Sequence, residues 1–237
     1  MRSATRIEID VKDTAESVAQ RAAAIIAEEA RLAVTARGRF VMAVSGGHTP
    51  WLMLRDLATA EVPWQAVHVV QVDERVAPPE DPDRNLTHLR ESLLDHAPLP
   101  PAQIYPMPVE SEDLEAAADA YAATLGQVAG MPPVLDLVHL GLGPDGHTAS
   151  LVPGDAVLKV ERADVTVTGV YQGRRRMTIT YPIINRSRRI LWVVTGKEKA
   201  TALRQLLDGD PSIPAGRIRP DNALVIADRA AAANLAA

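Results

Sequence analysis

The sequence predicts an α/β fold, a doubly wound, mainly parallel sheet with helices on both faces. Two observations predict it: the short apolar runs in the sequence, and the helical segments that alternate with them. Short continuous apolar runs, typical of buried parallel strands, alternate along the chain with longer segments of helical periodicity. Those helical segments supply the crossovers that parallel strands need. The chain has 237 residues, 47% of them apolar, and no repeat, low-complexity tract or long linker divides it. We therefore expect a single domain over residues 1–237.

The elements can be assigned in chain order. Alternation over 6–11 predicts a half-buried strand, and an Ala-rich helix follows at about 13–37 with Gly38 as its C-cap. Buried strands are then predicted at 40–44, 67–72, 134–140, 190–194 and 224–227. Helices are predicted at about 50–58, 86–94, 111–127 and 197–207, with a short Ala-rich helix at the end. Proline-rich loops are expected at 78–83 and 98–108. Residues 165–168 and 177–180 predict a small antiparallel strand pair added to the main sheet.

The composition disfavours several function classes. The chain contains no cysteine, so disulfides, thiolate nucleophiles and thiolate metal ligands are excluded. Aromatic residues make up 3% of the chain, too few for the stacking platforms of many nucleic-acid modules. The histidines lack a metal-binding spacing, and no Gly-x-Ser-x-Gly motif supports a serine nucleophile. No apolar run reaches the ~18 residues of a membrane span, and Met1 to Arg6 show no export signal. We expect a cytoplasmic protein that needs no metal, nucleic acid, membrane or obligate protein partner.

Two strand-end segments are candidates for binding an anion, because ligands of such sheets bind at the carboxyl ends of the strands. The first is Ser45-Gly46-Gly47-His48-Thr49-Pro50. Its glycines let the backbone approach a phosphate, its hydroxyls add donors, and the following helix adds free N–H groups. The second is Asp73-Glu74-Arg75, where Asp73 suits a sugar hydroxyl or a base and Arg75 suits a phosphate. The alternatives are an ordinary strand-to-helix turn and a surface ion pair.

A third segment, Gly141-Leu142-Gly143-Pro144-Asp145-Gly146-His147-Thr148-Ala149-Ser150, follows another buried strand. It contains the Gly-x-Gly-x-x-Gly pattern of dinucleotide sites, with Asp164 at a suitable distance for a ribose contact. The position past mid-chain and the acid Asp145, where pyrophosphate would lie, count against that interpretation. We favour pairing Asp145 with His147, because a carboxylate can orient an imidazole that activates water. The alternative is a structural histidine.

Cations are concentrated between residues 171 and 205. This stretch holds nine Lys or Arg against Glu198 alone, a local net charge of +8 in a chain of net charge −5. We expect Arg176 and Lys199 to converge on the strand-end cleft as part of an anion site. Lys197 is not assigned to either group. The cations expected on a solvated face are Arg174, Arg175, Arg188 and Arg189.

Taken together, these segments resemble the 6-phosphogluconolactonase family, within a wider group that includes glucosamine-6-phosphate deaminases and isomerases. The matching segments lie between about residues 40 and 227 and include Arg176-Met177-Thr178-Ile179-Thr180 and Thr195-Gly196-Lys197-Glu198-Lys199-Ala200 besides the three loops above. Deaminases that resemble this chain carry Tyr after the Asp-Glu pair and Asn-Glu-Pro after the histidine loop. Here those places hold Arg75 and Leu151-Val152-Pro153, which favours the lactonase branch.

The resemblance implies hydrolysis of 6-phospho-D-glucono-1,5-lactone to 6-phosphogluconate, the second step of the oxidative pentose phosphate pathway, without a cofactor. It implies that His147 activates the water and that Asp145 orients His147, while Asp73 contacts sugar hydroxyls. The expected phosphate contacts are Ser45, Gly46, Gly47, Thr49, Arg75, Arg176 and Lys199. Two alternatives are a glucosamine-6-phosphate deaminase or isomerase and a non-catalytic sugar-phosphate-binding domain.

Overall fold

The computed structural model describes residues 7–235. The expectations that concerned Met1 to Arg6, the start of the first strand and the missing export signal, lie outside the described residues. The strands are β1 (Glu8–Lys12), β2 (Phe40–Val44), β3 (Val67–Gln71), β4 (Asp73–Arg75), β5 (Ile104–Tyr105), β6 (Leu137–Leu140), β7 (Val165–Val167), β8 (Arg176–Ile179), β9 (Ile190–Val194) and β10 (Ala223–Asp228).

The helices are α1 (Ala15–Arg37), α2 (His48–Ala58), α3 (Asn85–Leu89), α4 (Leu114–Ala129), α5 (Tyr181–Arg186) and α6 (Ala200–Leu207). A capping box between Thr14 and Ser17 starts α1, and Gly38, with φ 75°, ends it. A π-helical turn over Arg90–Leu94 continues α3, and a 3₁₀ turn over Lys197–Lys199 precedes α6. None of these helices is long and apolar enough to cross a membrane.

The main sheet confirms the predicted parallel architecture. Its seven strands are all parallel and lie in the order β1-β10-β9-β6-β2-β3-β5. In β2, Phe40, Met42 and Val44 pack on one face with α1 and α2. Val41 and Ala43 pack on the other face with α4 and α6. Both faces are covered, which explains why this strand is a continuous apolar run.

The predicted antiparallel pair is present as β7 and β8, but it belongs to a second sheet. The order of that sheet is β4-β8-β7, with antiparallel pairing throughout. The expectation that the pair extends the main sheet is therefore wrong, because β8 pairs with the charged segment Asp73–Arg75 instead. The sequence did not predict β4, whose three residues are all charged. It also missed β5, a two-residue strand within the loop expected at 98–108.

The direction in which successive strands are added to the main sheet reverses between β2 and β6, which are neighbours in it. From β2 the strands β3 and β5 continue toward one edge, whereas from β6 the strands β9 and β10 continue toward the other. Crossovers on the two sides leave in opposite directions, so a crevice opens at the carboxyl ends of β2 and β6. The segments that begin at Ser45 and Gly141 follow directly after these two strands.

At the opposite end of β2, the buried carboxylate of Asp136 holds the strand in place. Its Oδ2 accepts the Val41 N–H at 2.8 Å, and its Oδ1 accepts the Arg37 guanidinium at 2.7 and 3.0 Å. Without the carboxylate, a buried backbone donor would lose its partner.

We expect Asp136→Ala to lower the free energy of unfolding by about 1–3 kcal/mol, the cost of a buried unpaired donor. Urea denaturation at neutral pH measures this loss. The matched control is Asp208→Ala, which removes a solvent-exposed carboxylate paired with Arg204 and should cost no more than about 0.5 kcal/mol. Equal losses in the two variants would contradict the assigned role of Asp136.

Candidate active site

A cavity of about 380 Å³ opens at the carboxyl ends of β2 and β6. The sequence-predicted site residues that line it are Ser45, Gly46, Gly47, Thr49, Asp73, Arg75, His147, Arg176 and Lys199. Asp145 does not line the cavity but contacts His147 directly. The structure therefore brings together the ten residues that the family resemblance assigns to the site.

The loop from Ser45 to Thr49 forms the wall of the cavity at the start of α2. A Cβ on Gly46 would lie 1.9 Å from Asn85 Oδ1, and Gly47 has φ 131°, so both positions need glycine. Among the described residues no side chain caps α2, so its first N–H groups have no intrahelical or side-chain partner. The Ser45 hydroxyl is buried and also lacks a partner within residues 7–235. Thr49 Oγ1 lies 2.6 Å from the Oγ1 of Thr195, a residue to which the sequence analysis assigned no role. This wall presents unpaired donors, which suits an anion.

The acidic end of β4 forms a second wall. Asp73 Oδ2 accepts the Ser150 hydroxyl at 2.7 Å. Asn85 Nδ2 donates to the Asp73 carbonyl at 2.9 Å and to its Oδ1 at 3.3 Å, and Arg75 donates to Asn85 Oδ1. Asn85 therefore joins the acid to the cation. The sequence analysis assigned no role to Asn85, because an amide carries no charge that marks a site.

Glu74 has a structural role that the sequence did not predict. Its buried carboxylate accepts the N–H groups of Arg75, Asn85 and Leu86, each at 2.8 Å. The buried Arg84 lies 3.3 Å from the same carboxylate and donates to Glu110 at 2.6 Å. The adjacent acids of β4 thus differ in function, because Glu74 fixes the start of α3 while Asp73 faces the cavity.

The loop between Gly141 and Ser150 holds the imidazole at the third wall. His147 Nδ1 lies 2.6 Å from Asp145 Oδ1, which also accepts the His147 N–H at 3.2 Å. A Cβ on Gly143 would lie 2.0 Å from His147 Nδ1 and 2.6 Å from Asp145 Oδ1. Gly146 has φ 80° and packs against Ile213. These two glycines are therefore required by the histidine turn.

The dinucleotide interpretation finds no support in this geometry. The glycine spacing that suggested it accommodates the Asp145–His147 pair, as described above. Asp164, the candidate ribose ligand, forms an ion pair with Arg186. Within residues 7–235 no cluster of three or more His, Asp or Glu could hold a metal ion.

Tyr171 completes the surroundings of Asp145, and no local signal in the sequence marked it. Its hydroxyl donates to Asp145 Oδ2 at 3.1 Å. Burial acts to raise the pKa of Asp145, but the hydrogen bonds and charge of His147, together with the Tyr171 bond, hold it below its ordinary value of 3.8. Burial and the Asp145 charge raise the pKa of the Tyr171 phenol. The carboxylate is therefore ionised and the phenol protonated at neutral pH.

Of the cations between residues 171 and 205, Arg176 and Lys199 line the cavity, at the position expected from the sequence. Arg176 is 6% exposed, and burial and the neighbouring Arg75 lower its pKa. Lys199 lines the cavity and forms no ion pair with a described residue, whereas Lys197 is exposed. Each of the four cations expected on a solvated face lies near a carboxylate: Arg174 near Asp81 and Asp83, Arg175 near Glu115, Arg188 near the buried Asp136, and Arg189 near Glu29. Arg174 also borders a neighbouring cavity.

The fold and the cavity define an α/β protein that carries a cleft lined by cations and a His–Asp pair at a topological switch point. The family model described as "Glucosamine-6-phosphate isomerases/6-phosphogluconolactonase" matches residues 13–227. The chain belongs to this family.

Curated relatives support the assignment over the whole chain. A protein named 6-phosphogluconolactonase from Synechocystis is 38% identical over 236 residues, which cover 96% of this chain and 98% of the relative. One of the same name from Mycobacterium leprae is 36% identical, with 99% of each chain covered.

Solved structures of similar proteins share the fold. A 6-phosphogluconolactonase from Trypanosoma cruzi has a TM-score of 0.89 at 25% identity, with 99% of both chains covered. One from Shewanella baltica has a TM-score of 0.82 at 28% identity, covering 95% of this chain and 99% of that chain. A monomeric glucosamine-6-phosphate deaminase reaches 0.85 at 23% identity, covering 96% of this chain and 100% of that one, a likeness of fold alone.

We expect the Asp145 carboxyl carbon to titrate by NMR with a midpoint below 3.8, and His147→Gln to raise that midpoint by removing its main partner. Because the folded-state pKa is lowered, the stability that Asp145 contributes is present above its ordinary pKa. It is lost as pH falls through the lowered value. A wild-type midpoint at or above 3.8 would contradict the hydrogen bonding described here.

Proposed function

We propose that the protein hydrolyses 6-phospho-D-glucono-1,5-lactone to 6-phosphogluconate, a step of the oxidative pentose phosphate pathway. The observation that carries the proposal is the His147–Asp145 pair on one wall of a cavity whose other walls carry Arg75, Arg176 and Lys199. The curated relatives that carry this name support it.

His147 acts as the general base. Its Nδ1 faces the ionised Asp145, which favours the tautomer with the proton on Nδ1 and leaves the Nε2 lone pair free. Nε2 takes a proton from water as the oxygen attacks the lactone carbonyl at C1. The Asp145 carboxylate stabilises the imidazolium that forms. When the tetrahedral intermediate collapses, the bond from C1 to the ring oxygen breaks and the imidazolium returns its proton to that oxygen.

The phosphate group positions the lactone for this attack. Arg75, Arg176 and Lys199 come from β4, β8 and the turn before α6, and all line one cavity. The loop from Ser45 to Thr49 adds hydroxyl and backbone donors, and Asp73 accepts from sugar hydroxyls. Charge-assisted contacts at one end of the substrate hold C1 at the other end within reach of His147.

The chain lacks the glutamate that the deaminases carry after the histidine loop. The fold does not separate the two activities, since a deaminase shares it with a TM-score of 0.85. The residues after the histidine loop are Leu151, Val152 and Pro153, and Leu151 and Val152 are buried apolar side chains. No carboxylate stands there to open a sugar ring. A non-catalytic sugar-phosphate-binding domain would have no use for the oriented His147–Asp145 pair.

We also propose that the chain acts as one catalytic domain in the cytoplasm on a small-molecule substrate, without an obligate protein partner. In support, the parallel pairing of β1 with β10 joins the two ends of the described chain in one sheet. The absence of cysteine is compatible with a reducing compartment.

We expect His147→Ala to lower turnover of the phosphorylated lactone ~10²- to 10⁴-fold, the usual loss for a general base, while its melting temperature stays near that of the wild type. Rates are measured after subtraction of spontaneous hydrolysis. His96→Ala, which removes an exposed imidazole outside the cavity, is the control and should keep full activity. A His147 variant within a few-fold of wild type would exclude His147 as the base. Ammonia release from glucosamine 6-phosphate by the wild-type protein would overturn the lactonase proposal.

A second test separates phosphate binding from chemistry. Lys199→Ala and Arg176→Ala should each lower kcat/KM for the phosphorylated lactone roughly 10- to 150-fold, the value of one charge-assisted contact. Both should leave the rate on unphosphorylated glucono-1,5-lactone nearly unchanged, since it offers these cations no partner. Arg189→Ala, whose guanidinium pairs with Glu29 outside the cavity, should match the wild type on both substrates. Equal losses on both lactones in the Lys199 variant would show that its role is not phosphate binding.

A further inference from the structure

Tyr171 lies in a tight turn that enters β8. Its N–H donates to the Arg174 carbonyl at 2.9 Å, and the Arg174 N–H donates back at 3.3 Å. The two central residues, Gln172 and Gly173, have φ 51° and 82°, as a type I′ hairpin turn requires. This turn type fixes the backbone from Tyr171 to Arg174 in a defined geometry.

The Tyr171 hydroxyl binds Asp145 Oδ2, the carboxylate oxygen that has no hydrogen bond to His147. Asp145 Oδ1 lies 2.6 Å from His147 Nδ1, and Oδ2 accepts from Tyr171 at 3.1 Å. The Asp145 side chain is 37% exposed, so without this bond its second oxygen would face solvent and the carboxylate plane would be free to rotate. The Tyr171 and His147 rings also meet edge to face, with centroids 5.6 Å apart.

The same ring supports a cation of the cavity. The Arg176 guanidinium carbon lies 4.9 Å from the centre of the Tyr171 ring, a cation–π distance. Its NH2 donates to Gln172 Oε1 at 3.0 Å within the same turn. The Nε of Arg176 is buried and has no partner among residues 7–235. One turn therefore contacts both the His–Asp pair and the arginine.

We propose that Tyr171 is a positioning residue that fixes the Asp145 carboxylate with its hydroxyl, and thereby the tautomer of His147, and that holds Arg176 with its ring. The inference rests on the proposed lactonase function for its kinetic consequences, whereas the tautomer of His147 is independent of it. The hydroxyl and the ring have separate tasks, so removing them one at a time separates the two effects.

Tyr171→Phe removes the hydroxyl and keeps the ring. We expect kcat to fall about 10-fold, the value of a hydrogen bond to a charged group, and KM to stay within about twofold. The matched control is Tyr105→Phe. The Tyr171 hydroxyl lies 3.5 Å from His147 Nδ1, and the Tyr105 hydroxyl lies 3.1 Å from the Nδ1 of His68, which is outside the cavity. Tyr105→Phe should keep the wild-type kcat. Wild-type kcat in Tyr171→Phe, or an equal loss in both variants, would overturn the proposal.

Tyr171→Leu removes the ring as well. It should repeat the loss of kcat and also raise KM for the phosphorylated lactone several-fold, with no further change on the unphosphorylated lactone. An unchanged KM for the phosphorylated lactone would overturn the role of the ring toward Arg176.

The tautomer of His147 is read directly from ¹⁵N chemical shifts of the imidazole in histidine-labelled protein, with His147→Gln to assign the signals. The wild type and Tyr105→Phe should show the proton on Nδ1, and Tyr171→Phe should show a mixture of tautomers. An unchanged spectrum in Tyr171→Phe overturns the positioning role. If the wild type instead failed to accelerate lactone hydrolysis, the proposed function would fall, and the spectra would still decide what Tyr171 does.

Discussion

The place of the cleft depends on the divergence of the chain between β2 and β6. Each strand delivers its following loop to the same edge, so the Ser45 loop and the Gly141 loop become neighbours although they are far apart in sequence. A hydrogen bond joins the two strands there, from the Ser45 N–H to His139 Nδ1 at 3.2 Å. Burial lowers the pKa of His139 to about 3, so its imidazole is neutral and accepts this bond at any physiological pH. The start of the Ser45 loop is therefore anchored independently of pH.

The second sheet brings chemistry to that edge. Its strand β4 carries two buried acids whose surroundings differ. Glu74 accepts three backbone N–H groups and pairs with Arg84, so its charge is compensated within the fold. Asp73 accepts from Ser150 and Asn85 and lines the cavity. Because a buried carboxylate without partners would be costly, the donors around each acid determine which one can face a ligand.

The sequence predicted the main sheet well because fully buried parallel strands are unbroken apolar runs, a signal that depends on local composition alone. The same reliance on local composition explains why β4 was missed. Asp73–Arg75 is a strand of charged residues, and its pairing with β8 is a tertiary contact that composition does not reveal. At the site, glycines and charged residues that follow strands could be found from their order along the chain. Tyr171 could not, because it reaches Asp145 across 26 positions of sequence through a turn whose geometry no local pattern near Asp145 reveals.

The pairing of His147 with Asp145 fits the chemistry proposed for this cavity. A lactone already hydrolyses in water, so a catalyst for it faces a modest barrier and has no need of a strong electrophile. A positioned general base contributes ~10²- to 10⁴-fold, and orientation of the bound substrate adds to this. The base must remain neutral to act, and cations close to it oppose the charge that it gains. In the proposed mechanism, Asp145 counters that effect beside His147, while Arg75 and Lys199 hold the phosphate. The Tyr171 ring contacts both the imidazole and one of the cations, because it meets the His147 ring edge to face and the Arg176 guanidinium lies over it.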